Sequence, residues 1–509
     1  MTGRFIRLLP EGRIQFAQRD LEALAHAMTS DQEPTPTAEG EPDPEEDPEI
    51  TAAYTYLGQF TDHDLTFDPT SRLREALTDQ ELDALADFRT PRFDLDNLYG
   101  RGPADQPYMY TEDKIHMLLG EPMSGNPFDL DARDLPRGPN GRALIGDPRN
   151  DENRIVAQLH AIFLRFHNQV ADCLARPEYL GKNVTFEDVR QQVRWHYQWM
   201  LVNDYLPMVV NNETYRAVFA DPNRPAPSLP GLQNGLRLMP VEFSVAAFRF
   251  GHSMIRPQYR LNTTVERRPI FSRDRGDGAR TDDAADLGGF RPIPSDWAID
   301  WQFFLDLRPG ARPAATSPLD DPIDRRPQKA YKIDTSLVSP LRDLPPRIAS
   351  HPSMLALRNL ERGNTFRLPS GQAVAKALDE EVIPDKDLVI GKATADDKPT
   401  PLPQIAEGFI ENAPLWAYIL SEAQVTSWKN AGGVRKNNIP IKLGPVGGRI
   451  VAGVFAALLC GDRTSYLNEG ASFTPIPEFT RNGEFGLAEL INVALTPTRQ
   501  DRQRRGDTS

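Results

Sequence analysis

Apolar residues recur at intervals of three and four along most of this chain, the spacing of helices that bury one face. The pattern is strongest over 154–177, where it stops at a proline, and over 185–210. Shorter stretches predict further helices at 16–29, 52–65, 71–87, 241–254, 351–361, 370–380, 413–427 and 447–461. Alternating strand patterns are scarce, and 354–360 fits either a helix or a strand. The fold is therefore predicted to be mainly α, with little β structure.

Polar segments rich in proline and charge delimit the predicted domain. Residues 31–50 combine acidic side chains with proline, which predicts a flexible surface segment within an N-terminal extension at 1–50. A polar tail is expected at 501–509. No repeat period is found between these ends, so 51–500 is predicted as one large catalytic domain, in which 263–345 forms long loops over a site.

Charge and the lengths of apolar runs argue against a nucleic-acid-binding protein and against a membrane-spanning one. The 509 residues carry a formal charge of -14, which argues against the basic stripe of a nucleic-acid-binding protein. The longest apolar run, Ile450 to Cys460, is shorter than the ~20 residues of a membrane-spanning helix. Charged residues interrupt the N-terminus before a standard secretory signal can form, so any export would use another route. Cys173 and Cys460 lie in apolar helical patterns, which predicts free thiols.

The first candidate functional residues lie in the stretch 52–65, which is predicted to be helical. Gln59, Asp62 and His63 lie at i, i+3 and i+4 and share one helix face, while Asp64 points about a quarter turn away. An amide, a carboxylate and an imidazole would therefore converge on one side. Taken alone, the same residues also fit a solvated acidic helix end.

A second cluster follows at 90–96. Asp94 and Asp96 alternate with the hydroxyl of Thr90 and the main-chain carbonyl of Arg92, a spacing that lets one loop offer several hard oxygens to one cation. Asp64 would complete such a calcium site. The alternative is a solvated acidic loop, since the spacing is not that of an EF-hand.

Two more segments carry candidate residues. Arg149 and Glu152 stand three apart just ahead of the long helical pattern at 154–177, so both could face one pocket. His252 lies on a mostly apolar helix, where a lone histidine is more often a hydrogen-bonded core residue.

Together and in this order, the segments resemble the animal-type haem peroxidase family, also called the peroxidase–cyclooxygenase superfamily. The residues similar to its distal motif are Gln59, Asp62, His63 and Asp64. Those similar to its calcium loop are Thr90, Arg92, Asp94 and Asp96. The remaining matches are Arg149 and Glu152, the proximal pair Arg249 and His252, and Asn359. Softer similarity covers about 51–470 and is greatest to bacterial members.

The resemblance implies a haem b cofactor bound through His252, with the Nδ1–H of that imidazole donating to Asn359 and with Arg249 at a haem propionate. It implies that Asp62 and Glu152 occupy positions that can form ester bonds to haem. It also implies a bound Ca²⁺, hydrogen peroxide as substrate, and a small electron donor such as a halide, thiocyanate or a phenol.

The roles implied for His63 and Arg149, called the distal pair below, also follow from the chemistry of peroxide cleavage without the resemblance. Peroxide cleavage needs a base that moves a proton between the two oxygens, and an imidazole such as His63 does this near neutral pH. Negative charge builds on the departing oxygen, and a fixed guanidinium such as that of Arg149 stabilises it. Gln59 lies on the same face and is included in the predicted catalytic set.

Two departures and two alternatives accompany the resemblance. Asn153 stands where one branch of the family has a methionine bonded to haem, so that sulfonium link is not expected. Arg249 stands where the fatty-acid dioxygenases of the superfamily have a radical-carrying tyrosine, which disfavours that activity. The other alternative is a haem-free calcium-binding protein, or a metalloenzyme using His160 and His167, which lie seven apart on one helix face.

Overall fold

The computed structural model describes residues 3–9, 11–31, 43–227, 229–232, 238–272, 285–307, 326–349, 351–468 and 473–497. Its α-helices are α1 Gln18–Ala27, α2 Ala52–Leu65, α3 Asp79–Ala84, α4 Asp96–Tyr99, α5 Arg154–Leu174, α6 Phe186–Met200, α7 Leu206–Val209, α8 Asn212–Val218, α9 Leu355–Thr365, α10 Gly371–Ala377, α11 Leu402–Ile405, α12 Leu415–Asn430, α13 Pro445–Gly461 and α14 Leu487–Leu495. The prediction of a mainly α fold is confirmed.

Strands are short and lie at the edges of the helical body. They are β1 Gly3–Ile6, β2 Glu46–Thr51, β3 Ala86–Asp87, β4 Leu238–Pro240, β5 Gln258–Tyr259, β6 Arg268–Pro269, β7 Lys329–Tyr331, β8 Val389–Ile390 and β9 Thr400–Pro401. β1 pairs antiparallel with β3 and parallel with β4, and the other strands form two-stranded antiparallel pairs, β2 with β7, β5 with β6 and β8 with β9.

Helix α5 is the centre of the core. It is buried almost all round, including several of its polar side chains, and it packs against α2, α6 and α14. Phe163 of α5 stacks on Phe60 of α2 with ring centroids 4.4 Å apart. Asn153 caps the helix, since its Oδ1 accepts from the main-chain N–H groups of Ile155 and Val156. Helix α2 and the start of α5 are therefore fixed relative to each other.

Two of the predicted helices, those at 185–210 and 241–254, are locally distorted. α6 begins at a capping box between Thr185 and Asp188 and continues through a π-helical turn, Leu201–Tyr205, into α7. The second stretch is a π-helical turn, Glu242–Ala246, followed by a 3₁₀ turn, Ala247–His252. Such departures from regular α geometry often occur at functional sites.

The N-terminal region differs from its sequence prediction. Residues 43–50 were expected in the flexible segment, but they enter β2, where buried Asp47 accepts from the main-chain N–H groups of Glu49, Ile50 and Ile441. Helix α1 packs against α9, and β1 enters the three-stranded sheet, so the extension is built into the fold. The rest of the acidic segment, 32–42, and the tail at 501–509 lie outside the described residues.

Three smaller points complete the comparison with the sequence. Of the stretch 71–87 only α3 is helical, because Thr78 and Glu81 form a capping box there. Cys173 and Cys460 are both free thiols. Across the described ranges, no helix is both long enough and apolar enough to cross a membrane.

Candidate active site

The distal side of the site is formed where α2 meets the start of α5. The amide of Gln59 donates to the carboxylate of Glu152 and accepts from Nδ2 of Asn153 at 3.0 Å. Nε2 of His63 lies 3.6 Å from Oε1 of the same Glu152. Glu152, 93 residues after Gln59 in the sequence, is therefore a neighbour of both Gln59 and His63 in the fold.

His63 is almost fully buried and is held through its Nδ1, which donates to Oδ1 of Asn150 at 2.8 Å. Burial, reinforced by the charge of Arg149, lowers the pKa of His63 to about 3. The imidazole is therefore neutral at neutral pH. With its hydrogen on Nδ1, it presents the lone pair of Nε2 towards the site, as a general base must.

Arg149 is held rigidly beside His63. Its guanidinium donates twice from Nε to Asp147 at 3.2 Å, and Nη2 donates to Asp147 at 2.8 Å and to the main-chain oxygen of Thr66 at 2.6 Å. It also lies over the ring of Phe67, 4.7 Å from the centroid. Although burial acts to raise it, Arg149 holds the pKa of Asp147 below its ordinary value. A charge fixed in this way needs no reorganisation to stabilise a developing anion.

Two carboxyl groups border the same space. Burial raises the pKa of Glu152 to about 7 and also raises that of Asp62, while Arg149 opposes both shifts. The hydroxyl of Thr66 donates to Oδ1 of Asp62 at 3.1 Å. Both carboxyls can therefore take up a proton more readily than exposed ones.

The proximal residues lie at the end of the 3₁₀ turn and on α9. Nδ2 of Asn359 lies 2.7 Å from Nδ1 of His252, and Nη1 of Arg249 donates to Oδ1 of Asn359 at 2.9 Å. Nε of Arg249 donates to the main-chain oxygen of Ser244 at 3.1 Å. The expected contact between Asn359 and His252 is present, and Arg249 belongs to the same chain of hydrogen bonds.

The polarity of this chain differs from the one expected. Because Arg249 can only donate, it faces the carbonyl oxygen of Asn359, and the amide nitrogen then donates to His252. A neutral His252 in this arrangement carries its hydrogen on Nε2. Metal binding through Nε2 of a neutral imidazole needs the hydrogen on Nδ1, so the Asn359 amide would have to turn over by half a rotation.

The distal and proximal groups border one site. Helix α2 packs against the 3₁₀ turn that carries His252. Burial lowers the pKa of Arg249 to about 10, with Asp62 acting to raise it and Arg149 to lower it further. The packing of α2 on this turn brings the elements that carry the distal and proximal residues together.

The residues present fit a planar cofactor between the two histidines. Nε2 of His252 makes no hydrogen bond to any part of the chain that the structure describes. A Cβ added to the adjacent Gly251 would meet no atom within 4 Å, so there is open space beside the imidazole. A buried imidazole whose Nε2 has no hydrogen-bond partner in the described ranges, beside Arg249 and next to open space at Gly251, is suited to bind a haem iron.

The predicted calcium ligands also converge. Carboxylate oxygens of Asp64, Asp94 and Asp96 lie within 4.8 Å of one another. Both oxygens of Asp64 are buried and, within the described ranges, neither makes a hydrogen bond of ordinary geometry, although the main chain of Leu95 and the side chain of Tyr197 lie close enough to act on the carboxyl. Burial, followed by the charges of Asp94 and Asp96, raises the pKa of Asp64 well above its ordinary value. An uncompensated buried carboxyl of this kind is costly, and a bound cation would remove the cost.

The other two predicted ligands lie at the rim of this cluster. The hydroxyl of Thr90 donates to Oδ2 of Asp94 at 2.7 Å. The side chain of Arg92 pairs with Asp462 at 3.4 Å, so only its main-chain carbonyl is left to serve as a ligand. Arg89 pairs with Asp96 at 3.3 Å and compensates part of the negative charge.

Sequence reasoning missed the polar residues behind the distal pair. Asp147 fixes Arg149, and Asn150 joins His63 to His160. In the stretch 147–152 only the arginine and the glutamate were predicted as site residues. The high proportion of polar residues in this stretch is a signal that the sequence does contain. His160 and His167 do not form a pair, since His167 instead accepts from the hydroxyl of Tyr99 at 3.0 Å.

Part of the chain is similar to known peroxidases. The sequence profile described as animal haem peroxidase matches residues 87–275, which include Arg149, Glu152 and His252 but neither His63 nor Asn359. Mouse thyroid peroxidase is 30% identical over 125 residues, 24% of this chain and 13% of that protein. A peroxidasin homolog of Caenorhabditis elegans is 26% identical over 341 residues, 64% of this chain and 21% of that protein. The matches thus span only a small part of these longer relatives.

Solved structures agree on the fold. Peroxidase A from Dictyostelium discoideum superposes with a TM-score of 0.60 at 18% identity, covering 97% of this chain and 94% of that one. A fatty acid alpha-dioxygenase from Arabidopsis thaliana superposes with a TM-score of 0.54 at 15% identity, covering 95% of this chain and 74% of that one. Residues 87–275 are therefore similar to the animal haem peroxidase family, and the solved structures show that the whole described chain has a similar fold.

Proposed function

We propose that this protein is a haem peroxidase, which reduces hydrogen peroxide and oxidises a small electron donor. The observation that carries the proposal is the distal pair: a buried imidazole, with its Nδ1 against the Asn150 amide, stands beside a guanidinium fixed by four bonds to Asp147 and Thr66. The match of residues 87–275 to the animal haem peroxidase profile supports the same class of oxidoreductase.

The roles of the distal residues follow from their placement. Haem, when bound, supplies the iron that takes up peroxide and stores its oxidising equivalents. Nε2 of His63 accepts the proton of peroxide and returns it to the leaving oxygen, so that water departs. Arg149 stabilises the negative charge that develops as the O–O bond breaks, and Asp147 keeps it in position. Gln59 orients Glu152 at the edge of the same space.

The cofactor would be held from several sides. His252 is the proposed axial ligand, and Asn359 orients its ring. Arg249, after leaving Asn359, would pair with a propionate, which lets the Asn359 carbonyl face His252. Asp62 and Glu152 are the proposed ester partners, and ester formation would suit carboxyls that are readily protonated.

Calcium is proposed to join helix α2, which carries His63, to the loop that follows this helix. Asp64 directly follows His63, so a cation bound by Asp64, Asp94 and Asp96 would fix the position of the base. Hard carboxylate oxygens favour Ca²⁺ over softer transition metals.

Fatty-acid dioxygenation is the competing activity, because solved fatty-acid dioxygenases share the fold. In this chain the residue three positions before His252 is Arg249, which hydrogen-bonds Asn359 and Ser244. A guanidinium cannot carry the radical that a phenol carries, so the site favours peroxidase chemistry.

The test is the visible absorption spectrum of the purified, haem-loaded protein before and after peroxide, followed by halides, thiocyanate and small phenols as donors. A Soret band that changes with peroxide and returns with donor supports the proposal. Oxygen uptake with a fatty acid and no peroxide turnover supports a dioxygenase. Failure to bind haem overturns both and leaves a calcium-binding protein.

A further inference from the structure

Behind the distal base, one asparagine joins two buried histidines. Nδ1 of His63 lies 2.8 Å from Oδ1 of Asn150, and Nδ1 of His160 lies 3.0 Å from Nδ2 of the same amide. Asn150 and His160 are fully buried, and His63 is nearly so. Water therefore does not replace either contact.

This arrangement couples the tautomers of the two rings. An amide offers an acceptor at one end and donors at the other, so the histidine at Oδ1 must carry a hydrogen on Nδ1 and the histidine at Nδ2 must not. Turning the amide over would exchange the two tautomers together. Either way, neutral His63 and His160 hold opposite forms.

His160 is suited to be the accepting member. Burial lowers the pKa of His160 to about 3, so the ring is neutral and its Nδ1 can be bare. Nε2 of His160 is buried and has no partner among the residues that the structure describes, so no contact there opposes a hydrogen on Nε2 and a bare Nδ1. At the other end, Nε2 of His63 is 3.6 Å from Glu152, beyond hydrogen-bond range, so nothing there holds a hydrogen on Nε2.

We propose that His160 is a positioning residue for the distal base. By accepting from Nδ2 of Asn150, it keeps the amide oxygen towards His63, which places the hydrogen of His63 on Nδ1 and leaves Nε2 bare to accept the proton of peroxide. This chain of hydrogen bonds from His160 through Asn150 to His63, called the relay below, rests on the proposed function only for its catalytic purpose. Its hydrogen positions can be observed without any turnover.

Neutron diffraction from crystals of the haem-loaded protein exchanged into heavy water tests the relay directly. The expected maps show deuterium on Nδ1 but not Nε2 of His63, the Asn150 amide deuteriums directed at His160, and deuterium on Nε2 of His160. Deuterium on Nε2 of His63 with the amide turned over would overturn the proposal, whatever the activity.

Kinetic variants test the consequence. His160→Leu removes the acceptor and is expected to slow the reaction with peroxide by about 10- to 100-fold, the effect of losing a group that orients a functional residue. Asn150→Asp in the His160→Leu background supplies an acceptor-only group to Nδ1 of His63 and should recover most of the loss. No recovery, in a variant that folds and binds haem, would mean that His160 acts only through packing.

His167→Leu is the matched control. It removes a buried histidine seven residues along the same helix, whose partners are Tyr99 and the main-chain oxygen of Ile115. It is expected to lower stability and leave the peroxide rate unchanged. If His167→Leu slows the reaction as much as His160→Leu, the relay is contradicted. If the neutron maps are as expected but His63→Ala reacts at the wild-type rate, the relay stands and the peroxidase assignment fails.

Discussion

On each side of the site an asparagine amide joins a histidine to a second polar side chain, but the two amides face their histidines with opposite ends. On the distal side Asn150 joins His63 to His160, and on the proximal side Asn359 joins His252 to Arg249. An arginine can only donate, so it dictates which end of the Asn359 amide faces His252. A histidine can donate or accept, so His160 fixes the Asn150 amide only through its own tautomer. The group at the far end of each amide therefore determines where the hydrogen of the near imidazole lies.

The largest expected effect comes from removing the distal pair. His63→Ala and Arg149→Ala should each retain haem and slow the reaction with peroxide by at least ~10²-fold, because acid–base and electrostatic catalysis are lost. Stopped-flow absorbance at the Soret band measures the rate. Unchanged rates in both variants would refute the distal assignment. Arg154→Ala serves as a control, because Arg154 stacks on Trp297 and lies at the same helix start.

A second prediction concerns the carboxylate cluster beside the distal base. In Asp64→Asn the loss of an uncompensated buried charge should stabilise the calcium-free protein. With saturating calcium the same change should destabilise it, because a ligand bound at ~100 times its dissociation constant contributes about 2.7 kcal/mol. Denaturant unfolding with chelator or with calcium measures both signs. The same sign under both conditions, or purified protein with almost no calcium and full activity, would contradict the site.

Asp94→Ala tests the link between calcium and catalysis. It should lower stability and peroxide reactivity together, because a base displaced by ~1 Å can lose ~10²-fold in rate. The proximal ligation through His252 should persist, which the spectrum of the haem-loaded variant reports. Loss of the His252 spectrum in this variant would show that the cluster supports the whole site and not only the distal helix.

How far the sequence predicted this site depends on how local each group is. The shared face of Gln59 and His63 follows from helix geometry, and the convergence of Asp94 and Asp96 follows from one loop. The relay through His160 joins positions on three elements, and its hydrogen-bond polarity depends on which end of an amide faces which ring. No spacing in the sequence encodes that choice.

The fold shows the same limit. Long periodic segments such as α5 were predicted well, because periodicity is a local property. The strand at Glu46–Thr51 was missed, because its pairing with β7 joins residues almost three hundred apart and its acidic groups are satisfied by distant N–H groups. The turn that carries His252 was predicted only as regular helix, since the sequence pattern does not separate π and 3₁₀ turns from α-helix.

His196 serves as a reference, because the main chain and not an amide side chain fixes the tautomer of this histidine. Nδ1 of His196 donates to the main-chain oxygen of Gln192 at 2.7 Å, and Nε2 accepts from the main-chain N–H of Ile476 at 3.0 Å. Burial lowers the pKa of His196 to about 4. Because the pKa is higher in the unfolded chain, near 6.5, the stability it contributes is present above pH 6.5 and is lost as pH falls towards 4.

Between pH 7.5 and 5 this loss should be about 2 kcal/mol, from the ~1.4 kcal/mol that each pKa unit represents. The measurement is denaturant unfolding of wild type and His196→Gln at both pH values. The variant should be less stable at pH 7.5 but should lose less stability on acidification. An equal loss in both proteins would show that other buried groups, such as His167, account for the pH dependence.

The smallest expected effect tests the polarity of the proximal amide. Asn359→Leu removes the partner of both His252 and Arg249 and should weaken haem binding by about 10-fold, the lower end of what loss of such a supporting group costs. Asn359→Asp keeps the size and offers only acceptors, so it can take hydrogens from Nδ1 of His252 and from Arg249 at once. Because that is the polarity iron ligation through Nε2 requires, Asn359→Asp should bind haem at least as tightly as wild type in a Soret titration of the haem-free protein. If Asn359→Asp weakens binding as much as Asn359→Leu does, the amide N–H is what His252 needs, and the half rotation of Asn359 does not occur.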